Sequence, residues 1–192
     1  MKKFVIVLPL LILLVGCKQE TYKIKSGKHN SGIHFAPHTT NGLLFSAKFD
    51  DSAIYQTQNP TNQADINKLY GFSDCMSKHQ ENSARIGWRW YNNELQILGY
   101  TYADGNRHHK LITSAPLNEY FEASIIISGY EYQFKVNNET VYLPRGCNKE
   151  VGVAYRLFPY FGGDETAPHD IKIKIVNSGK KIKFKRSFDN WS

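Results

Sequence analysis

The sequence lacks the short motifs that mark several common chemistries. It has no Gly-x-Ser-x-Gly elbow, no phosphate-binding P-loop, no His-Glu-x-x-His and no Cys-x-x-Cys. It has only three cysteines, and two of them, Cys75 and Cys147, lack zinc-site spacing. It also lacks helical periods of any length between its apolar segments, which argues against parallel βαβ units. The sequence therefore predicts no metal site and no cofactor.

The longest apolar run, residues 4–15, is too short to span a bilayer as a helix, which takes about 20 residues. It follows Met1-Lys2-Lys3, and this arrangement is typical of a secretory signal. The run ends in Leu14-Val15-Gly16-Cys17, which resembles the lipobox of bacterial lipoproteins. The resemblance implies that residues 1–16 are a cleaved signal peptide and that the new N-terminal Cys17 carries fatty acyl chains such as palmitate.

The expected cellular location determines which partners are expected. No Asp follows Cys17, so the family's inner-membrane retention signal is absent, which favours an outer-membrane lipoprotein of the cell envelope, attached through its lipid. The net charge is +7, and +5 without the two lysines of the leader. A positive excess favours anionic glycans or lipid headgroups, and nucleic acid is not an expected partner outside the cell. The membrane face and the oligomeric state stay open.

Cys75 and Cys147 remain once Cys17 is acylated. Two cysteines in an oxidising compartment favour a disulfide. Two separate buried thiols are the alternative, because spacing alone does not bring their Cα atoms within bonding range.

From Leu43 onward, apolar residues recur mostly at every second position, as in strands with one buried face. Turn residues such as Asn92-Asn93, Asp104-Gly105 and Asn137-Asn138 separate the runs. The pattern predicts an all-β fold, an antiparallel two-sheet β-sandwich of jelly-roll type. The predicted strand runs are 43–49, 85–90, 95–102, 121–127, 130–136, 151–157, 171–175 and 182–184.

The domain boundaries follow from composition. Residues 17–41 are polar and rich in Lys, Gly, Ser, His and Thr, which predicts a lipidated, flexible tether that ends in a short strand at most. The β-sandwich domain is then 42–192, with one possible short helix at 62–69. Lysines near the C-terminus are typical of an edge strand, where they hinder pairing with another chain. Contact with anionic lipid or glycan is the alternative.

The order of strands and loops in residues 43–176 resembles that of concanavalin-like jelly-roll glucanases and polysaccharide lyases. A Tyr-rich strand at Tyr155 leads to an aromatic loop with Gly162-Gly163 and then to an alternating final strand at Ile171. The resemblance implies a sandwich that handles carbohydrate. Asp164, Glu165 and Asp170 follow or flank that loop, but acids in turns are more often capping or solvated than calcium ligands.

Arg85, Tyr102, His108 and His109 are the candidate catalytic residues. A lyase needs a base for the proton beside a uronate carboxylate and an acid for the leaving oxygen, and Arg can neutralise that carboxylate. Adjacent His108 and His109 point to opposite faces of a strand, so at most one of them enters a shared site. Ordinary strand packing is the alternative for the tyrosines.

Aromatic side chains offer stacking surfaces for sugars. Three hypotheses follow: an envelope lipoprotein that binds a glycan, an anionic one by preference; a polysaccharide lyase or glycoside hydrolase on the same fold; and an envelope interaction protein without a small ligand. The binding hypothesis ranks first because no acid/base constellation is specified. Its candidate ligand-binding residues are Trp88, Arg89, Trp90, Tyr100 and Tyr160.

Overall fold

The computed structural model describes residues 19–148 and 154–178. Within this part the chain forms twelve strands and two short 3-10 turns, Asp51–Ala53 and Pro60–Ala64. None of the helical segments described is long and apolar enough to cross a membrane. The strands are β1 (Gln19–Ile24), β2 (Pro37–His38), β3 (Gly42–Phe49), β4 (Asn67–Ser73), β5 (Ser83–Tyr91), β6 (Glu94–Ala103), β7 (Asn106–Ala115), β8 (Phe121–Ser128), β9 (Glu131–Val136), β10 (Glu139–Pro144), β11 (Ala154–Leu157) and β12 (Ile171–Asn177).

The strands build two six-stranded sheets. The first sheet has the order β1-β12-β3-β8-β9-β10, and the second has the order β2-β11-β4-β5-β6-β7. The neighbouring strands described are all paired antiparallel. The predicted all-β, two-sheet sandwich is therefore confirmed.

Aromatic side chains from both sheets meet in the core. Phe49 of β3 packs on Trp88 of β5 with ring centroids 4.8 Å apart, and Phe72 of β4 packs on Tyr132 of β9 at 6.2 Å. Because side chains alternate along each strand, the residues between these core positions face outward. The outer face of the second sheet is the part of the fold that carries the candidate site.

The N-terminal segment differs from the predicted tether. Gln19–Ile24 form β1, which pairs with β12 and buries Tyr22 and Ile24 in the core. Only two apolar side chains mark this strand, so its sequence pattern resembles that of a polar linker. The sandwich therefore begins well before residue 42, whereas Cys17 lies outside the described residues.

The predicted helix at 62–69 is also wrong. The segment starts inside the 3-10 turn Pro60–Ala64, where the backbone N–H of Thr61 donates to the side chain of Asn59, and it ends inside β4. Residues 69–73 of β4 are all buried, so the strand lacks the alternation by which it would be recognised. The predicted run at 151–157 is seen as β11 from Ala154 onward, and the run at 182–184 lies outside the described residues.

Candidate ligand-binding groove

A groove of about 410 Å³ lies on the outer face of the second sheet. Its floor comes from β4, β5 and β6, and its walls come from the loop before β5, from β11 with the segment after it, and from the loop around residue 31. The residues that matter most for its chemistry are Lys68, His79, Arg85, Tyr100, Tyr155 and Tyr160.

Strand register aligns the floor of the groove. Arg85 of β5 lies opposite Gly71 of β4 and opposite Tyr100 of β6. Tyr102 is two residues further along β6, so it shares the same face, and its ring centroid is 5.8 Å from that of Tyr100. The period of two thus gathers polar side chains on one outer face while Trp88 points to the core.

Gly71 makes room for Arg85. A Cβ atom at position 71 would lie 2.1 Å from the carbonyl oxygen of Ala84 and 2.8 Å from Cγ of Arg85. Any larger residue would displace the arginine or separate the two strands. A glycine inside a buried strand is the sequence signal for such a close approach.

Arg85 is a buried cation for which the described residues supply no counter-charge. Its exposed fraction is 7%, and within the described chain it forms no salt bridge and its Nε atom has no hydrogen-bond partner. Its guanidinium carbon lies 5.7 Å from the centroid of the Tyr100 ring. Burial lowers the pKa of Arg85, but a guanidinium stays protonated at neutral pH. Such a charge costs folding free energy unless a ligand supplies the missing anion.

Lys68 is a second cation in the groove. Its Nζ atom donates to the carbonyl oxygen of Ile66 at 2.8 Å and lies 4.8 Å from the centroid of the Tyr100 ring. Burial, followed by the positive charge of Arg85, lowers the pKa of Lys68 to about 8. The ammonium group therefore loses its charge just above neutral pH.

His79 and Tyr155 form a hydrogen-bonded pair in the wall. The backbone N–H of His79 donates to the Tyr155 hydroxyl at 3.1 Å, and the His79 Nδ1 atom lies 3.1 Å from the same oxygen. Burial, and then the charge of Arg85, lower the pKa of His79, so its imidazole is neutral at pH 7. A neutral imidazole can take a proton from a substrate, and the phenol beside it can donate a proton to another atom of that substrate.

The loop that carries His79 is fixed at both ends. Cys75 forms a disulfide with Cys147, with Cα atoms 6.0 Å apart. The neighbouring Asp74 makes a buried salt bridge to Arg145, and the Ser83 hydroxyl donates to the His79 carbonyl at 2.6 Å. These contacts hold the histidine against the groove before any ligand arrives.

The groove is basic. Its described lining contains three cations, Lys68, Arg85 and Arg156, and no Asp or Glu. Glycoside hydrolysis ordinarily needs two carboxyl groups that flank the bond, and the lining residues described here supply neither. The charge of the groove suits an anionic ligand.

The structure brings together four of the predicted site residues. Arg85, Tyr100, Tyr102 and Tyr160 all line the groove. His109 lies opposite Tyr100 on the same face but stands exposed beyond the groove. His108 lies opposite the buried Thr101, on the other face of the sheet. It is therefore separated from the groove by the sheet.

Trp88 is wrong as a ligand-binding residue. It is fully buried against Phe49 and Phe161, because the alternation of β5 places it on the core face. Trp90 shares that face, is half-buried, and lines a different cavity near Asn92. Arg89 lies outside the groove, where its guanidinium donates to Gln96 and to a backbone carbonyl. Three consecutive residues of one strand cannot serve one face.

The predicted site residues did not include Lys68, His79, Tyr155 or Arg156. His79 and Tyr155 are 76 residues apart in the chain, and no local motif links them. Lys68 gives no signal until the buried strand β4 is recognised. Only the tertiary pairing of β11 with β4 brings these side chains together.

Two groups of acidic or sulfur-containing side chains could offer ligand atoms to a metal ion. Asp74, Cys75 and Cys147 lie close together, but both sulfurs are used by the disulfide and Asp74 is held by Arg145. Near the Gly162-Gly163 loop, Glu165 accepts hydrogen bonds from the backbone of residues 58 and 59, and Asp170 is paired with Lys23. These acids have structural partners, as capping residues do.

No family model and no curated protein matches the sequence. Among solved structures, the alginate lyase AlyC3 is similar over 81% of this chain and 71% of its own, with 10% identity and a TM-score of 0.55. The family 18 polysaccharide lyase aly-SJ02 is similar over 85% of this chain and 87% of its own, with 7% identity and a TM-score of 0.50. At these identities the likeness establishes the sandwich fold, and the predicted resemblance to jelly-roll polysaccharide lyases holds at that level.

Proposed function

We propose that the groove binds an anionic polysaccharide, with a sugar carboxylate seated on Arg85. The observation that carries this proposal is the buried guanidinium, which faces the groove without any described counter-charge. Arginine matches a carboxylate bidentately, and the low local dielectric strengthens the contact. Lys68 and Arg156 supply further positive charge for neighbouring anionic groups.

The aromatic walls suit sugar rings. Tyr160 is 38% exposed, and its ring is stacked on His29 with centroids 5.3 Å apart, which holds the exposed face in place. A rigid aromatic face offers an apolar surface to a pyranose, while its hydroxyl group remains free for hydrogen bonding. The groove volume lies in the usual range for small-ligand sites. The fold likeness to AlyC3, which has been solved with dimannuronate, supports a uronate ligand.

A second candidate function, cleavage by β-elimination, is favoured by the His79–Tyr155 pair. Arg85 would neutralise the uronate carboxylate and so stabilise the charge that develops when the adjacent C–H bond breaks. One member of the pair takes that proton as the C=C bond forms. The other donates a proton to the glycosidic oxygen as the C–O bond breaks, which balances the reaction.

The cellular location is part of the same proposal. Cleavage before Cys17 and acylation of its thiol would anchor the domain at the envelope, with the outer membrane favoured by the residue that follows. Mass measurement of the mature N-terminal peptide, with Cys17→Ser as the control, tests this anchor independently of the groove.

Binding to a panel of polysaccharides tests the proposed ligand class. We expect saturable binding to polyuronates and none to neutral β-glucans, with affinity that falls as salt rises because the contacts are ionic. Equal binding to neutral and anionic polymers would contradict the assignment. No binding to any polysaccharide of the panel would instead favour an interaction protein without a small ligand.

Affinity for a polyuronate is expected to fall about tenfold as pH rises from 7 to 9, since one charge-assisted contact is lost. The pKa of Lys68 is about 8, so its charge is present below that pH and disappears above it, while Arg85 stays charged. Titration calorimetry at several pH values measures the effect. In Lys68→Met the affinity should be lower and flat across this range; an unchanged slope would rule Lys68 out as the cause.

Tyr155→Phe is expected to reduce β-elimination by about 100-fold or more while changing glycan affinity by less than about tenfold, because it removes the proton-transfer group but leaves Arg85 in place. Ultraviolet absorbance of the unsaturated sugar ends follows the reaction. Tyr130→Phe, at an exposed tyrosine between β8 and β9, is the matched control. If wild-type protein binds polyuronate but releases no unsaturated ends, the groove binds without cleaving.

A further inference from the structure

Ile33 and Phe35 are the two most exposed large apolar side chains in the described part of the chain, at 104% and 84%. They flank His34, which is itself exposed but whose ring packs on Tyr22 at 5.1 Å and on Phe158 at 4.9 Å. His34 Nε2 also lies 3.1 Å from the carbonyl oxygen of Ser31. The loop is therefore held by its middle residue, and its two apolar neighbours project into solvent.

This apolar tip, Ile33 with Phe35, lies beside the start of β1. Both residues share a surface depression with Glu20 of β1 and Asn177 of β12, and Gln19 pairs with Val176 at the same place. Cys17 is two residues before Gln19, which is at most about 7 Å of extended chain. An acylated Cys17 would therefore place the bilayer surface next to the tip.

The charge of the adjoining sequence fits an anionic membrane surface. The last described residue, Ser178, follows directly on the end of β12, and the sequence after it contains Lys180, Lys181, Lys183, Lys185 and Arg186 against a single acid, Asp189. Basic residues next to a lipid anchor add attraction to anionic headgroups.

We propose that Ile33 and Phe35 insert into the interface of the bilayer beside the acylated Cys17 and so fix the orientation of the sandwich. This inference rests on the proposed lipid anchor. The depression at the tip and the groove share His34, Arg156 and Phe158. Insertion therefore places that end of the groove at the membrane and leaves the Tyr102 end as the entrance for a long glycan.

Photo-crosslinking in the full-length, processed chain tests the insertion. The photoreactive residue benzoylphenylalanine replaces Phe35 in one variant and Tyr142 in the control; Tyr142 is 50% exposed on β10, at the opposite edge of the first sheet from β1. After irradiation of whole cells of a Gram-negative host, mass spectrometry measures lipid adducts at each position and acylation of the N-terminal peptide. We expect at least about tenfold more lipid adduct at position 35, and a several-fold loss when Ile33→Asp is added, because a charge beside the reporter opposes insertion.

The possible outcomes distinguish the insertion of the apolar tip from the lipid anchor. Acylated Cys17 with lipid adducts confined to position 35 supports the insertion. Acylated Cys17 with equal or absent adducts at the two positions overturns the insertion and leaves the anchor standing. Adducts to another protein at position 35 also overturn it, and an unmodified Cys17 overturns the anchor and the insertion together.

Discussion

Replacing Arg85 with methionine is expected to weaken polyuronate binding by about 2–5 kcal/mol, the usual loss when one partner of a buried charge pair is removed. The same replacement is expected to raise the free energy of unfolding of the ligand-free protein by about 1 kcal/mol, since it removes a buried charge that has no described counter-ion. Calorimetric titration measures the first effect and urea unfolding the second.

Arg89→Met is the matched control for this result. Arg89 lies four residues further along β5 on the same face, but its guanidinium already donates to Gln96 at 2.8 Å and to the Ala64 carbonyl at 2.7 Å. We expect little change in affinity and a small loss of stability. If Arg85→Met destabilised the ligand-free protein and bound glycan as wild type does, Arg85 would be a packing residue and the groove would lose its proposed anchor.

Arg145→Met is expected to lower the free energy of unfolding by about 3–5 kcal/mol, because it leaves the Asp74 carboxylate buried without its cation. Both side chains of this salt bridge are 1% exposed, with Nε 2.6 Å from Oδ2. The Tyr132 hydroxyl donates to the same carboxylate oxygen at 2.6 Å. Urea unfolding with the Cys75–Cys147 disulfide intact measures the loss.

The double variant Asp74→Leu with Arg145→Met separates charge burial from packing. Removal of both charges is expected to cost clearly less than Arg145→Met alone, because no unpaired ion is left in the interior. A double variant as unstable as the sum of the two single variants would show no coupling between the two charges and would contradict this explanation. Since Asp74 begins the loop of His79, Arg145→Met should also reduce any β-elimination more than Tyr130→Phe does.

Much of the fold follows from a period of two. The runs at Phe45 and Phe134 alternate because β3 and β9 each bury one face in the core, and the turns at Asp104-Gly105 and Asn137-Asn138 connect strands as predicted. The edge strands β1, β7 and β10 were not predicted, since an edge strand that buries few side chains carries little alternation. β4 was missed for the opposite reason, because both of its faces are covered.

The site was only half predictable for a related reason. Alternation along β5 shows that Arg85 and Trp88 lie on opposite faces, but it does not say which face is the core. The aromatic residues of β5 were therefore predicted to bind sugar, but they pack against the core. The arginine on the other face marks the groove. His79 and Tyr155 meet only through tertiary pairing, which no local pattern encodes.

The central claim is that Arg85 and its groove recognise a sugar carboxylate. Its most direct test is calorimetric titration of the protein with a uronate oligosaccharide and with the same oligosaccharide after its carboxyl groups have been reduced to alcohols. We predict measurable binding for the first and a loss of about 100-fold or more for the second, because the neutral sugar leaves the guanidinium unpaired. Equal affinity for the two would contradict the account.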